Sequence, residues 1–226
     1  MICQKKKSLN NSGFSFLLYF CFMITIINYN AGNIKSIQNM LKRIGAKTCI
    51  SSNVDEIEQA EKIILPGVGH FDFGMINLKQ SGLIEVLNKK VLKDKVPLLG
   101  ICLGAQLLGN RSEEGKEKGL GWINMDVVKF DNVKMPENYK IPHMSWNEIE
   151  IKKSSKLLEG LNNESRFYFV HSYLMKCNDE NDVLTNTNYG YEFTSAVEKD
   201  NIFGVQFHPE KSHKFGMKLL DNFVKI

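Results

Sequence analysis

Short apolar runs alternate with amphipathic segments from Met23 onward, and few architectures accommodate this pattern. Helical spacing of apolar residues is clearest between Ile34 and Ile44, and Gly45 ends that segment. The pattern predicts strands at Ile24–Ile27, Lys47–Ser51, Lys62–Leu65 and Pro97–Ile101, and further helices at Phe71–Lys79 and Leu83–Leu92. Because strands that alternate with helices form parallel βαβ units, we expect a mostly parallel sheet flanked by helices.

The C-terminal half is rich in predicted strands instead. A polar, glycine-bearing loop at Asn110–Gly119 precedes it, and a helix at His213–Val224 closes the chain. The predicted strands are Asp126–Phe130, Glu148–Ile151, Arg166–Val170, Val183–Thr187, Phe193–Val197 and Ile202–Phe207. No linker separates the two halves, so we expect one α/β domain with an antiparallel annex in its C-terminal half.

The N-terminal 22 residues do not fit this pattern. An apolar run from Gly13 to Ile27 follows a lysine cluster, as in a secretory signal, but no small-residue cleavage site comes after it. The run is also shorter than the roughly 20 residues that span a bilayer. Since Met23–Ile27 is needed as the first strand, we expect residues 1–22 to be an upstream extension and 23–226 to be the domain. A disordered tail and a membrane anchor are the alternatives.

Composition excludes several functional classes. The chain is 43% hydrophobic and 24% charged, as in ordinary globular proteins, and three lysines before Met23 supply most of its formal charge of +4. This balance does not indicate a nucleic-acid surface. The five cysteines form no CxxC pair, which favours a reduced, cytoplasmic compartment over a disulfide framework. No His, Cys, Asp or Glu group has metal-ligand spacing, so we expect neither a metal nor another cofactor.

Gly100-Ile101-Cys102-Leu103-Gly104 has the pattern of a nucleophile elbow. It follows a buried strand and opens a predicted helix at Leu103–Leu108. A sharp strand-to-helix turn strains the backbone of the nucleophile, and glycines two residues away on each side let neighbouring backbone approach closely. The thiol would then lie at a helix N-terminus, which favours thiolate. A buried structural cysteine is the alternative.

His208-Pro209-Glu210 supplies the groups that a thiol nucleophile needs. A base must take up the thiol proton, and an acceptor must orient that base. Residues i and i+2 of an extended segment face the same way, and Pro209 favours an extended His208. In a parallel sheet this segment and Cys102 both follow carboxyl ends of strands, so we predict a Cys102, His208 and Glu210 triad.

Pro66-Gly67-Val68-Gly69 follows the third predicted strand. Acyl transfer requires N–H donors aimed at a developing oxyanion. A glycine-rich turn beside the elbow can supply one donor, and the N–H of Leu103 can supply the other.

These motifs resemble the class I, triad-type glutamine amidotransferases. The matching segments are GICLGAQLL at 100–108, PGVG at 66–69 and GVQFHPEKS at 204–212. Three more segments, NYNAGNI at 28–34, PHMSWN at 142–147 and YFVHSY at 168–173, resemble the glutaminase subunit of imidazole glycerol phosphate synthase in histidine biosynthesis. The resemblance extends from Met23 to Ile226.

The resemblance implies a flavodoxin-like sheet and a heterodimer with a (β/α)8-barrel cyclase. It implies that Cys102 forms a γ-glutamyl thioester, that His208 is the acid and base, and that Glu210 orients His208. The other implied residues are backbone groups of Val68, Gly69 and Leu103 in the oxyanion hole, Gly67, Gln106, Ser172 and Tyr173 at the substrate glutamine, and Asn33, Met144, Trp146, Asn147, Tyr168 and Lys211 facing the partner.

Two positions depart from the family pattern. Ser145 replaces a usual glycine in the interface segment, which we expect to be a loop, and Ala105 replaces a larger apolar residue. Of the remaining histidines, His143 and His171 are expected to be interior residues satisfied by hydrogen bonds, although His171 is a rival candidate for the base. His70 and His213 are expected at the surface or at helix starts, and Cys49 and Cys177 in strands or at strand edges.

Other functions remain open at this stage. The same glutaminase chemistry could serve an amidotransferase of surface-polysaccharide sugar biosynthesis, and a γ-glutamyl peptidase would leave 142–147 without a role. A non-catalytic binding subunit would not need an intact triad. A membrane-anchored interaction protein depends on residues 14–22 alone.

Overall fold

A computed structural model describes residues 23–131 and 133–226, which form one α/β unit. The helices are α1 (Ile34–Arg43), α2 (Val54–Glu58), α3 (Phe71–Gln80), α4 (Leu83–Asn88), α5 (Leu103–Gln106) and α6 (His213–Lys225). The strands are β1 (Met23–Ile27), β2 (Lys47–Ser51), β3 (Lys62–Gly67), β4 (Leu98–Cys102), β5 (Arg111–Ser112), β6 (Met125–Lys129), β7 (His143–Glu148), β8 (Glu150–Ile151), β9 (Arg166–His171), β10 (Tyr173–Cys177), β11 (Val183–Tyr189), β12 (Tyr191–Lys199) and β13 (Ile202–Val205).

The large sheet combines a parallel part with an antiparallel part. Its strand order is β2-β1-β3-β4-β13-β12-β10-β6-β5, and β11 and β8 continue from β12. The first five strands in this order, β2 to β13, are parallel. The pairs β13–β12, β12–β10 and β10–β6 are antiparallel, and β5 pairs parallel with β6 at the far edge. The parallel order is that of flavodoxin-like sheets. Strands β7 and β9 form a separate antiparallel pair. The predicted fold class is therefore confirmed.

Apolar side chains on both faces of the parallel strands hold the layers together. In β3, Ile63 and Leu65 belong to the core on one face, and Ile64 belongs to the core on the other. All three are fully buried. This double burial explains why these strands appear in the sequence as continuous apolar runs.

Several predicted elements need correction. The interface segment 142–147 is not a loop, because His143–Glu148 forms β7 and pairs with β9 from His143↔His171 to Glu148↔Arg166. Strand β10 and helix α2 were not predicted. The helix predicted to Leu92 ends at Asn88 and continues as a π-helical turn, Lys89–Lys93. The missed strands pair with partners distant in sequence, which local patterns do not report.

None of the helices within 23–131 and 133–226 is both long and apolar enough to cross a membrane. The N-terminal extension and the membrane anchor depend on residues 1–22, which lie outside the described residues.

Candidate active site

Cys102 lies at the junction of β4 and α5 in a strained backbone conformation. Its φ of 54° and ψ of −111° are unusual for a residue with a side chain, and such strain costs about 1–3 kcal/mol. A Cβ on Gly104 would lie 1.9 Å from the Leu65 oxygen, and one on Gly100 would lie 2.8 Å from Ala105 Cα. Both flanking positions therefore require glycine, and the predicted elbow is confirmed as a structural feature.

The helix that follows is shorter than the one predicted over Leu103–Leu108. It ends at Gln106, so it contains four residues and its dipole is small. The thiol of Cys102 is 7% exposed and faces a cavity.

Parallel pairing of β13 with β4 brings His208 to Cys102. Val205 pairs with Ile101, so both strands end at the same edge of the sheet. The chain then continues to His208, whose N–H donates to the Tyr168 oxygen at 2.9 Å. This bond anchors His208 to β9 as well as to the sheet.

His208 and Glu210 form a buried pair. Nδ1 of His208 lies 2.8 Å from Oε1 of Glu210, and the two side chains are 2% and 1% exposed. The predicted contact is confirmed, but its backbone differs from the prediction. His208 is extended, whereas Pro209–Lys211 forms one turn of 3-10 helix, and the Ser212 hydroxyl donates to the His208 oxygen at 2.6 Å.

The second ring nitrogen of His208, Nε2, is not bonded to Glu210. Nε2 is buried and makes no hydrogen bond within the described part of the chain. Burial lowers the pKa of His208, but Cys102 and then Glu210 raise it, and the pKa rises to about 10. The interactions with Cys102 and Glu210 therefore outweigh burial and favour the charged imidazolium.

A cavity of about 360 Å³ opens at Cys102. Its lining residues are Val68, Gly69, Cys102, Leu103, Gln106, Glu114, Pro142, Val170, His171, Ser172, Tyr173 and His208. Most residues predicted for the site thus meet at one cavity. Glu210 lies behind His208, and Gly67 is also absent from the lining.

Gly67 has a packing position beneath the cavity. It pairs with Cys102 across β3 and β4, and a Cβ there would lie 2.7 Å from both Gly104 N and the Tyr29 hydroxyl. The Tyr29 hydroxyl donates to the Pro66 oxygen at 2.6 Å. The turn beyond is open, since Val68 is 42% exposed and Gly69 has a φ of +102°.

Sequence reasoning missed two polar residues at the site. Glu114 lines the cavity, and its Oε2 accepts from Phe71 N–H at 2.8 Å. Gln206 is fully buried, and its Nε2 lies 3.8 Å from Cys102 Sγ. The signal for Gln206 was its position two residues before His208 within an otherwise apolar strand. The polar loop around Glu114 gave no comparable signal.

His171 lines the same cavity but is not available as a base. Its Nδ1 lies 2.7 Å from the Tyr173 oxygen, and its Nε2 lies 3.1 Å from His143 Nδ1. Burial is the main cause that lowers the pKa of His171 to about 3. Both ring nitrogens are occupied, so the expectation of an interior, hydrogen-bonded histidine is confirmed.

One face of the β7–β9 pair is open to solvent. Met144 and Trp146 are 58% and 42% exposed, and Trp146 pairs with Tyr168. The Trp146 ring stacks on the His213 ring, with 5.3 Å between the ring centroids and 3° between the ring planes. Lys211 Nζ lies 5.4 Å from the centroid of the Tyr168 ring. We call Met144, Trp146, Tyr168, Lys211 and His213 the aromatic face.

The other two residues predicted to face a partner are placed differently. Asn147 lies on the inner side of β7, where its Nδ2 donates to the Asn188 oxygen at 2.8 Å. Asn33 is exposed just before α1, and α1 packs against the turn Pro209–Lys211. His70 and His213 precede or begin helices α3 and α6 as expected, and Cys49 and Cys177 lie in β2 and β10.

Comparison with known proteins identifies the family. The sequence model described as "Glutamine amidotransferase class-I" matches residues 25–226. The chain belongs to this family. Imidazole glycerol phosphate synthase subunit HisH 2 of Pseudomonas aeruginosa is 55% identical over 90% of this chain and 100% of the relative. The subunit HisH 2 of Methanococcus maripaludis is 58% identical over 90% of this chain and 99% of the relative. The chain thus belongs to the HisH group of class-I glutamine amidotransferases.

Solved structures agree on the fold. A crystal structure described as glutamine amidotransferase has a TM-score of 0.69 at 19% identity, covering 89% of this chain and 97% of the other. The structure of PurLQS from Thermotoga maritima also has a TM-score of 0.69, at 17% identity, and the match covers 90% of this chain and 98% of the other. At these identities the likeness concerns the fold alone.

Proposed function

We propose that this chain hydrolyses glutamine and supplies the ammonia to a (β/α)8-barrel cyclase that makes imidazole glycerol phosphate in histidine biosynthesis. The single observation that carries the chemistry is that Cys102 and His208 meet at one cavity, with Glu210 bonded to His208 from behind. Membership of the HisH group supports the pathway. No cofactor is needed for this reaction, because thiol, imidazole and carboxylate suffice.

The reaction begins when the Cys102 thiolate attacks the carboxamide carbon of the glutamine side chain. The resulting tetrahedral oxyanion is stabilised by backbone N–H groups of Leu103 and of the Val68–Gly69 turn. His208 donates its proton to the departing nitrogen, so ammonia leaves and a γ-glutamyl thioester remains. Glu210 keeps Nδ1 of His208 oriented and does not itself transfer a proton.

Hydrolysis of the thioester reverses the role of His208. The now neutral imidazole takes a proton from water, the water oxygen attacks the thioester carbon, and the Cys102 sulfur leaves with restored thiolate. Glutamate is released, and one water has been consumed for each ammonia produced. The same histidine thus acts first as acid and then as base.

The cavity lining is suited to an amino acid. Glu114 provides a carboxylate that attracts the α-ammonium group of glutamine. Gln106 has committed both Nε2 hydrogens, to the Tyr173 oxygen at 3.3 Å and to Gln206 Oε1 at 3.0 Å, so it offers Oε1 as an acceptor. Ser172 and Tyr173 supply backbone groups on the opposite wall, and Gly67 keeps the turn close to the elbow.

The aromatic face is the proposed contact with the cyclase, together with Asn33. Exposed tryptophan and methionine on a rigid strand are typical of interface centres. We propose a heterodimer in the cytoplasm, with residues 23–226 as the amidotransferase domain and residues 1–22 as an extension. The polysaccharide alternative shares the chemistry, but the relatives named above are imidazole glycerol phosphate synthase subunits, which favours the histidine pathway.

A two-source assay tests this function. The cyclase should make imidazole glycerol phosphate with wild-type chain and glutamine, but not with Cys102→Ala and glutamine. Ammonium salt should restore product with Cys102→Ala, because only the ammonia source is lost. Product from glutamine with Cys102→Ala would refute the assigned nucleophile. Failure of wild type to support the cyclase, while it hydrolyses glutamine with a sugar amidotransferase, would refute the pathway.

A further inference from the structure

Two buried histidines lie between the partner-facing strand and the glutamine cavity. His143 is fully buried, and its ring stacks on those of Tyr189 and Phe169. The ring centroids are 3.9 Å apart for Tyr189 and 4.8 Å apart for Phe169. His171 is 6% exposed, and its Nε2 lies 3.1 Å from His143 Nδ1. Neither contributes to the proposed chemistry, although His171 lines the cavity.

The hydrogen bonds of this pair have one consistent polarity. A carbonyl only accepts, so His171 Nδ1 must carry the hydrogen that bonds the Tyr173 oxygen at 2.7 Å. Burial lowers the pKa of His171 to about 3 and that of His143 to about 4, so both rings are neutral. His171 Nε2 is then an acceptor, and His143 Nδ1 must donate to it.

The same reasoning continues outward to β7. His143 Nε2 is left as an acceptor, and Asn147 Nδ2 lies 3.5 Å from it while donating to the Asn188 oxygen at 2.8 Å. Asn147 Oδ1 accepts from Glu148 N–H at 2.9 Å, which fixes the orientation of the amide. The chain therefore starts on the inner side of the strand whose outer side carries Trp146.

The inner end of the chain reaches the nucleophile. The Tyr173 oxygen also accepts from Gln106 Nε2, Gln106 Nε2 donates to Gln206 Oε1, and Gln206 Nε2 contacts Cys102 Sγ. We propose that His143 and His171 are positioning residues, which transmit partner docking on β7 to the glutamine site by setting the Tyr173 carbonyl and Gln106. This inference rests on the proposed glutaminase function.

A shift of β7 on docking would act on the outer end of this chain. Movement of Asn147 changes the donor available to His143 Nε2, and the ring between Tyr189 and Phe169 can respond only within its plane. The Tyr173 carbonyl then gains or loses its donor, and Gln106 follows. Docking should thus change the affinity for glutamine by about tenfold, within the usual range of coupling between sites.

The tautomers provide a test that does not depend on activity. Nitrogen-15 spectra of the isolated chain at neutral pH should show both His143 and His171 neutral and protonated on Nδ1. Protonation of either ring on Nε2, or a charged ring, would overturn the chain.

Glutamine binding tests the coupling, measured in a Cys102→Ala background so that nothing is consumed. The cyclase should tighten the Kd for glutamine by about tenfold, and His143→Phe should remove most of that gain while its ring still fills the stack. His70→Phe is the matched control and should keep the full gain. His171→Phe should weaken glutamine binding even without partner, whereas His171→Asn keeps a donor at the Nδ1 position and should bind nearly as wild type.

The outcomes separate this inference from the proposed function. If the complex that carries Cys102→Ala alone binds no glutamine, the glutaminase function itself fails. If it binds glutamine and His143→Phe retains the full gain, or His171→Phe binds as His171→Asn does, the positioning role is wrong. Thermal unfolding of each variant shows whether it is folded, and His171→Asn keeps the test valid should a phenylalanine variant not fold.

Discussion

Nδ1 of His208 lies 2.8 Å from Oε1 of Glu210, and burial shields both side chains almost fully from water. The carboxylate thereby fixes the direction of the imidazole, and Nε2 stays unbonded to Glu210. This arrangement makes the roles of the two histidines at the cavity different, because His171 has no free nitrogen.

The triad assignment predicts an order of effects on glutamine hydrolysis in the complex. His208→Asn should lower kcat by about 10²–10⁴, as removal of a general acid or base usually does. The kcat of Glu210→Gln should lie between those of His208→Asn and wild type, and His171→Asn should keep most of the wild-type kcat. Steady-state kinetics with partner present measures all three, and a larger loss for His171→Asn than for His208→Asn would contradict the assignment.

The aromatic face predicts a separation of chemistry from docking. Trp146→Ala should weaken partner-stimulated glutamine hydrolysis by about tenfold or more, since an interface tryptophan is a typical hot spot worth 2 kcal/mol or more. Phe73, 51% exposed on α3, offers a matched control. Phe73→Ala should retain full stimulation. Both variants should react with an electrophilic glutamine analogue at Cys102, and equal stimulation of the two would remove Trp146 from the interface.

The buried histidines predict a pH dependence of stability. The folded pKa of His143 is lowered to about 4, from an ordinary value of 6.5. The unfolded chain therefore binds the proton first, so this stability is present above about pH 6.5 and is lost as the pH falls towards 4. Denaturant unfolding across this pH window should show a smaller loss of the free energy of unfolding in His143→Phe than in wild type. An identical slope in both would contradict the neutral, buried ring.

Removal of residues 1–22 should leave a competent protein. Every described element begins at or after Met23, whose backbone N–H donates to Glu61 Oε2 at 3.1 Å. A chain that starts at Met23 should unfold at the same temperature as the full chain and hydrolyse glutamine with partner at the same rate. Loss of folding on truncation would show that the extension packs on the domain, and recovery of the full-length protein from membranes would support the anchor alternative.

Much of the site could be predicted because its residues lie in local motifs. The elbow around Cys102 and the contact between His208 and Glu210 depend on spacing and backbone geometry that a few residues determine. The sequence predicts a loop where the structure has strand β7, because this strand depends on pairing with β9 and Pro142 beside it is typical of turns. Gln206 was missed for a related reason, since its contacts to Gln106 and Cys102 cross about a hundred residues of sequence.

The covalent intermediate provides the most direct measurement of the central claim. Acid quenching of the complex during turnover of glutamine, followed by peptide mass spectrometry, should find a γ-glutamyl group on Cys102 and on none of the other four cysteines. His208→Asn should lower the rate at which this adduct forms, because the departing nitrogen then lacks its acid. An adduct on another residue, or continued hydrolysis by Cys102→Ala, would contradict the account.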